Sequence, residues 1–270
     1  MNNKHHAVWA VVALLIVFLA ILVWRLFIDP TPRALAPGGT VATTTPTATT
    51  TPPIVLTDSG RYHDAEATYP SVTPLAQSAG AEADAGAVAL MKSFVENAMG
   101  GFEERAEEQM PELASIAGGQ KYALDIDYSL YESPKTISYV YIIYENTLGA
   151  HPNAYYRTFT FDRATGENIH LDELFAPGTS YLERLSARAR AELPAIMAKR
   201  AETTPDQIDA EYINSGTQPM GDSFNNFAID GTTLRLIFPP YQVGPYAYGT
   251  IEAPIPLSDL SSILNPKYRP

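Results

Sequence analysis

Residues 122–130 carry the cleanest alternation in the chain. Tyr122, Leu124, Ile126, Tyr128 and Leu130 alternate with Ala123, Asp125, Asp127 and Ser129, a period of two that predicts a strand with one apolar and one wet face. Asp125 and Asp127 then share the wet face, where paired carboxylates are a candidate for metal or acid–base chemistry; the competing and simpler reading is two ordinary solvated groups. After a turn at Glu132-Ser133-Pro134-Lys135, residues 136–145 read TISYVYIIYE. Both faces are apolar or aromatic, as in a central strand covered on both sides. A loop tip, Gly149-Ala150-His151-Pro152-Asn153, leads into a third strand over 155–161. Asp162-Arg163-Ala164-Thr165-Gly166 then reverses the chain, with Gly166 available for positive φ. Three successive strands with tight turns predict an antiparallel meander.

A period near 3.6 precedes this region. Val88, Met91, Val95, Ala98 and Phe102 step by 3, 4, 3 and 4, which predicts a helix over 82–109. Its acids, Glu103, Glu104, Glu107 and Glu108, fall on the other side or at the end. Order is expected from near Gly60, with a short strand over 65–69 ended by Pro70. Downstream, Ser180 is placed to cap a helix through Leu182, Leu185 and Ala189, which Pro194 kinks or ends. Thr204-Pro205 reads as a second helix start, running to about residue 213. Strands follow over 224–229, 234–238 and 251–255, the first two joined at Asp230-Gly231. Residues 241–249 form an aromatic loop shaped by Gly and Pro. Ser258 is placed to cap a closing helix to Leu264.

The N-terminus has a different pattern. Residues 7–24 are uncharged and almost wholly apolar, and as a helix they span about 27 Å, enough for a bilayer core. Trp9 and Trp24 stand at its ends. The apolar region of a cleaved signal peptide is shorter, about 7–15 residues, so an uncleaved anchor over 7–28 is expected, behind a cytoplasmic stub of residues 1–6. Residues 29–59 form a Thr/Pro-rich stalk. The remainder divides into a small N-terminal α+β subdomain (60–165) and a C-terminal α+β domain (166–270), the alternative being that the two form one unit. The fold class is α+β, antiparallel sheets packed with helices, in an extracytoplasmic domain.

Charge narrows the partners. The chain has 270 residues and a formal charge of −12; beyond Ile28 it carries 16 bases against 30 acids, or −14. Such a surface does not seek nucleic acid or anionic lipid; it either steers a cationic partner toward itself or serves solubility alone. The absence of cysteine excludes disulfides and thiolate metal sites. His5, His6, His63, His151 and His170 form no HxxxH or HExxH. No GxSxG, P-loop or GxGxxG is present. No catalytic residue, metal or cofactor is therefore assigned. A metal gathered by His151, His170 and a distant Asp is the weakest of the alternatives.

The candidate contact residues lie in two loops. His151 and Asn153, with Tyr155 beyond them, form an exposed polar tip; the competing reading is a plain turn. Tyr241, Gln242, Tyr246 and Tyr248 offer flat area and hydroxyls suited to a sugar or a protein surface; the competing reading is loop packing.

These residues also carry a resemblance. GAHPN followed by an aromatic strand, FDxxTG and LxxLF makes one half; FNNFAID, LRLIFPPYQVGPYAYG and IPLSDL make the other. Together they resemble the extracellular domain of the RsiV anti-sigma factor family, and the region preceding the catalytic domain of PdaC-type peptidoglycan deacetylases. The segment from Ala67 to Met99 resembles the smaller domain preceding it in both. The RsiV resemblance implies a lysozyme-sensing module, so lysozyme or a cell-wall glycan is the expected ligand. Six residues before the apolar run are too few to hold a sigma factor, and no deacetylase domain follows, so neither of those activities is expected. The alternatives are an accessory or catalytic component of wall-glycan modification, and a scaffold docking another envelope protein.

Overall fold

The computed structural model describes residues 51–113 and 118–270. The expected anchor, the cytoplasmic stub and most of the stalk lie outside the described residues. Among the described residues no helix is long and apolar enough to cross a membrane. The described residues pack as one compact unit.

The elements are β1 (Ile54–Ser59), β2 (His63–Tyr69), α1 (Leu75–Ser78), α2 (Ala81–Leu113), β3 (Tyr122–Glu132), β4 (Thr136–Asn146), β5 (Asn153–Asp162), β6 (Asn168–Ile169), α3 (Tyr181–Arg200), α4 (Ala210–Gly216), β7 (Phe227–Asp230), β8 (Thr233–Phe238) and β9 (Ile251–Pro256). Strands β1 to β6 form one sheet in sequence order, and β7 to β9 form a second. The meander expected from 122 to 161 is present, with Tyr141 opposite Arg157 and Ile126 opposite Ile143. Two expectations about the large sheet change. The large sheet is mixed, because β2 pairs with β3 in parallel. The α1–α2 crossover carries the chain back to the starting end of the sheet, where only a parallel strand can follow. Order also begins earlier than Gly60, since Ile54–Ser59 pairs with β2. Its residues are mostly exposed, so burial left no alternation to read.

The layers explain the strand patterns. Helix α2 lies on one face of the large sheet, where Met91, Val95 and Phe102 pack with Ile126, Tyr139, Tyr141 and Phe159. Phe94 meets Tyr141 and Phe159 edge-on, at 5.3 and 5.6 Å between centroids. The small sheet covers the other face. There Val140 packs with Ala228 and Ile237, and the Ile229 N–H donates to Ser138 Oγ (3.2 Å). Strand β4 is thus apolar on both faces because a helix covers one and a sheet the other. A second core packs Leu185, Leu193 and Met197 of α3 against Phe227, Leu234, Leu236, Ile251 and Ile255 of the small sheet.

Helix α3 runs on through Pro194 to Arg200, neither ending there nor starting on a Ser180 side-chain cap. Its buried residues, Leu185, Ala189, Leu193 and Met197, hold it across that position. Helix α4 starts at Asp209, not at Thr204. The Asp209 carboxylate accepts from the Glu211 and Tyr212 N–H groups, while Ile208 is extended and breaks the run from Pro205. Strand β7 begins at Phe227, after a 3-10 turn over Gly221–Phe224. The expected closing helix is a 3-10 turn, Leu257–Leu260, without a Ser258 cap.

Candidate functional site

The β4–β5 tip and the loop after β8 come together. Tyr246 stacks on the His151 imidazole, with centroids 3.8 Å apart and planes 17° from parallel. His151 Nε2 lies 2.8 Å from the Tyr241 hydroxyl. Its Nδ1 lies 3.0 Å from the Pro152 carbonyl, which also accepts from the Tyr246 hydroxyl at 2.9 Å. A carbonyl only accepts, so in the neutral ring Nδ1 carries the proton and Nε2 accepts from Tyr241. Tyr241 and Tyr246 lie 5.6 Å apart. The result is a surface of three aromatic rings, pinned by two hydrogen bonds across some ninety residues of sequence and by one within the His151–Pro152 tip.

Two backbone features accompany it. Tyr241 adopts φ +72° and Leu148 φ +60°. Both are left-handed conformations that side chains rarely take, and one stands in each loop. Tyr241 is half exposed. Burial first, then the neighbouring Tyr144 and Tyr241 phenols, pushes the Tyr246 hydroxyl upward in pKa, so it remains a neutral donor to Pro152.

The other expected contact residues divide. Tyr155 is exposed, but it sits on the α2 face of β5, whereas Tyr144 lies on the opposite face of the sheet. Asn153 opens β5 opposite Glu145, beside the cluster. Gln242 is turned inward: its amide donates to the carbonyls of Gly216 and Ser223, both at 2.9 Å. Its own backbone runs so close to α4 that a Cβ on Gly216 would meet the Gln242 carbonyl oxygen at 1.8 Å. Tyr248 packs against the second core, and its carbonyl accepts from Arg200 at 2.7 Å. Gln242 and Tyr248 therefore fix the loop, and Tyr241 and Tyr246 present its surface. Sequence reading missed Tyr144, which is exposed at the end of β4, because it took that strand as covered throughout.

The FDxxTG turn has a structural role. Asp162 is buried. Its Oδ1 accepts from the Ala164 and Thr165 N–H groups (2.8 and 3.1 Å), and its Oδ2 from the Tyr268 hydroxyl (3.0 Å) and Lys267 (2.6 Å). Burial raises its pKa, but these four donors outweigh it and hold the carboxyl below its usual range. His170 does not join His151: its N–H donates to Glu173 at the start of a 3-10 turn (2.7 Å). The pKa of Asp125, on the wet face, is raised first by partial burial and then by repulsion from Asp127 and Glu66.

Residues 172–258 match the family model described as a protein of unknown function, DUF3298. Over 179 residues the chain is 28% identical to the peptidoglycan-N-acetylmuramic acid deacetylase PdaC of Bacillus subtilis, covering 66% of this chain and 36% of PdaC. It is 28% identical to an esterase of Mycobacterium tuberculosis over 52% of this chain and 59% of the esterase. It is 27% identical to the immunogenic protein MPT64 of the same species, over 53% and 60%. The chain thus spans between about a third and three fifths of these relatives. Crystal structures of DUF3298 family members from Bacteroides fragilis and Pseudomonas aeruginosa superpose with TM-scores of 0.52 each at 16% identity. They cover 80% and 81% of this chain, and 93% and 96% of their own. The chain therefore carries a DUF3298 domain over residues 172–258, has the overall fold of solved DUF3298 members, and is homologous to a region of PdaC.

Proposed function

We propose that this chain is a membrane-anchored, extracytoplasmic binding module that takes a peptidoglycan-type glycan, or lysozyme, on the His151–Tyr241–Tyr246 surface without catalysis. The observation that carries this reading is the stack of Tyr246 on His151 beside the half-exposed Tyr241. Aromatic faces bind the apolar faces of sugars and protein surfaces, and the phenol and imidazole edges supply hydrogen bonds. Cross-loop bonds hold the rings in place beforehand, which lowers the entropy lost on binding. The name of PdaC supports a wall glycan; the net charge of −12 supports a basic protein such as lysozyme.

The test uses the full chain in detergent, titrated separately with soluble peptidoglycan fragments and with lysozyme at low and moderate salt. Saturable binding to one of them is expected. Tyr246→Ala should weaken it at least tenfold, with a melting temperature within about 2 °C of the parent. Binding to neither ligand, or binding that Tyr246→Ala leaves intact, refutes the reading. The names of the deacetylase and the esterase favour a second reading, a catalytic or accessory part in wall-glycan modification. Release of acetate from peptidoglycan by the purified chain would establish it.

A further inference from the structure

The β1–β2 hairpin meets α2 through a group the sequence did not reveal. Asp58 of β1, His63 at the start of β2 and Glu103 of α2 each place one donor atom within 4.8 Å of the others. His63 is 1% exposed, and its Nε2 lies 2.9 Å from Asp58 Oδ2. Its Nδ1 is buried without a hydrogen-bond partner. The Gly60 backbone roofs the ring: a Cβ there would stand 2.4 Å from Cε1 and 2.8 Å from Nδ1. Phe102 meets the ring edge-on, with centroids 6.1 Å apart and planes at 87°. Among the described residues neither Asp58 nor Glu103 pairs with Lys or Arg; on the same hairpin Lys121 pairs with Asp64.

We propose that Asp58, His63 and Glu103 bind a divalent transition ion of the zinc class, which ties the β1–β2 hairpin to α2. One imidazole and two carboxylates form a borderline donor set suited to zinc, with a fourth position open to water. Zinc bonds of about 2.0–2.2 Å put ligand atoms roughly 3.3–3.6 Å apart, so the His63–Asp58 pair, now 2.9 Å apart, opens slightly, and the group, all within 4.8 Å, otherwise needs only a small contraction. Glu103 is exposed and can make it by changing rotamer. The imidazole is held in a fixed orientation by Gly60 and Phe102, and it has one nitrogen to ligate while the other keeps the proton. The ion would also balance two carboxylates that, among the described residues, pair with no Lys or Arg. This inference is independent of the glycan reading.

The test uses the full chain in detergent with His5→Ala and His6→Ala, so that the N-terminal histidines cannot supply the binding. The protein is stripped with EDTA and titrated with zinc(II) by calorimetry, with melting followed in parallel. One equivalent and a raised melting temperature are expected. Glu103→Gln, an exposed change, should lower zinc affinity at least tenfold and leave the melting temperature in EDTA unchanged. Asp58→Asn should lower the affinity likewise. The absence of saturable binding, or a Glu103→Gln protein that binds zinc as tightly as its parent, overturns the proposal.

Discussion

Replacing Asp162 by alanine should detach the C-terminal tail from the β5–β6 turn. The carboxylate accepts from two backbone N–H groups, from the Tyr268 hydroxyl and from Lys267. Lys267 is about half exposed, so its ion pair is screened and contributes little. The other three bonds lie in or beside the core. At about 1 kcal/mol each, their loss costs about 3 kcal/mol. For a unit of this size that lowers the melting temperature by roughly 6–12 °C. Asp162→Asn keeps an oxygen for the two backbone donors and should cost about half as much. The pH dependence has a definite sign. The folded-state pKa lies below the unfolded one, so this stabilisation is complete above the unfolded value near 3.8 and is lost as pH falls through the folded value. Below pH 4 the parent should therefore lose stability more steeply than Asp162→Asn. The assay is urea and thermal unfolding of parent and variants between pH 3 and 7. A shift under about 2 °C for Asp162→Ala, or parallel acid profiles for the parent and Asp162→Asn, would refute the account of the turn as a clasp.

Two further predictions concern packing. Gly216→Ala places a methyl 1.8 Å from the Gln242 carbonyl oxygen, which is backbone and cannot rotate away; the variant should lose about 3 kcal/mol or fail to fold, and unfolding like the parent would contradict the close approach. Phe102→Ala empties a fully buried position between α2 and the large sheet; it should cost about 3–5 kcal/mol by urea unfolding.

The sequence alone determined most of the local structure. Alternation located β3, because burial on one face of a strand imposes a period of two; an apolar run on both faces located β4, and the turns bounding an aromatic segment located β5. The 3.6-residue period located α2 for the same reason. Composition located the apolar N-terminal run and the acidic balance. Three features were decided by tertiary structure. The parallel β2–β3 pair depends on where a fifty-residue crossover returns, and neither strand's pattern records its neighbour. The two covers of β4 are a helix on one face and a second sheet on the other, whereas its sequence shows only that both faces are buried. The candidate site needs His151 to reach Tyr241 and Tyr246. Each loop was legible as aromatic and polar, but their contact lies ninety residues apart in sequence and leaves no local period. The same holds for Asp58, His63 and Glu103, whose donors come from three elements. Burial writes a repeating pattern into a chain because it acts on every turn of a helix or strand; a contact between two distant side chains acts once, so it is visible only after the fold has brought them together.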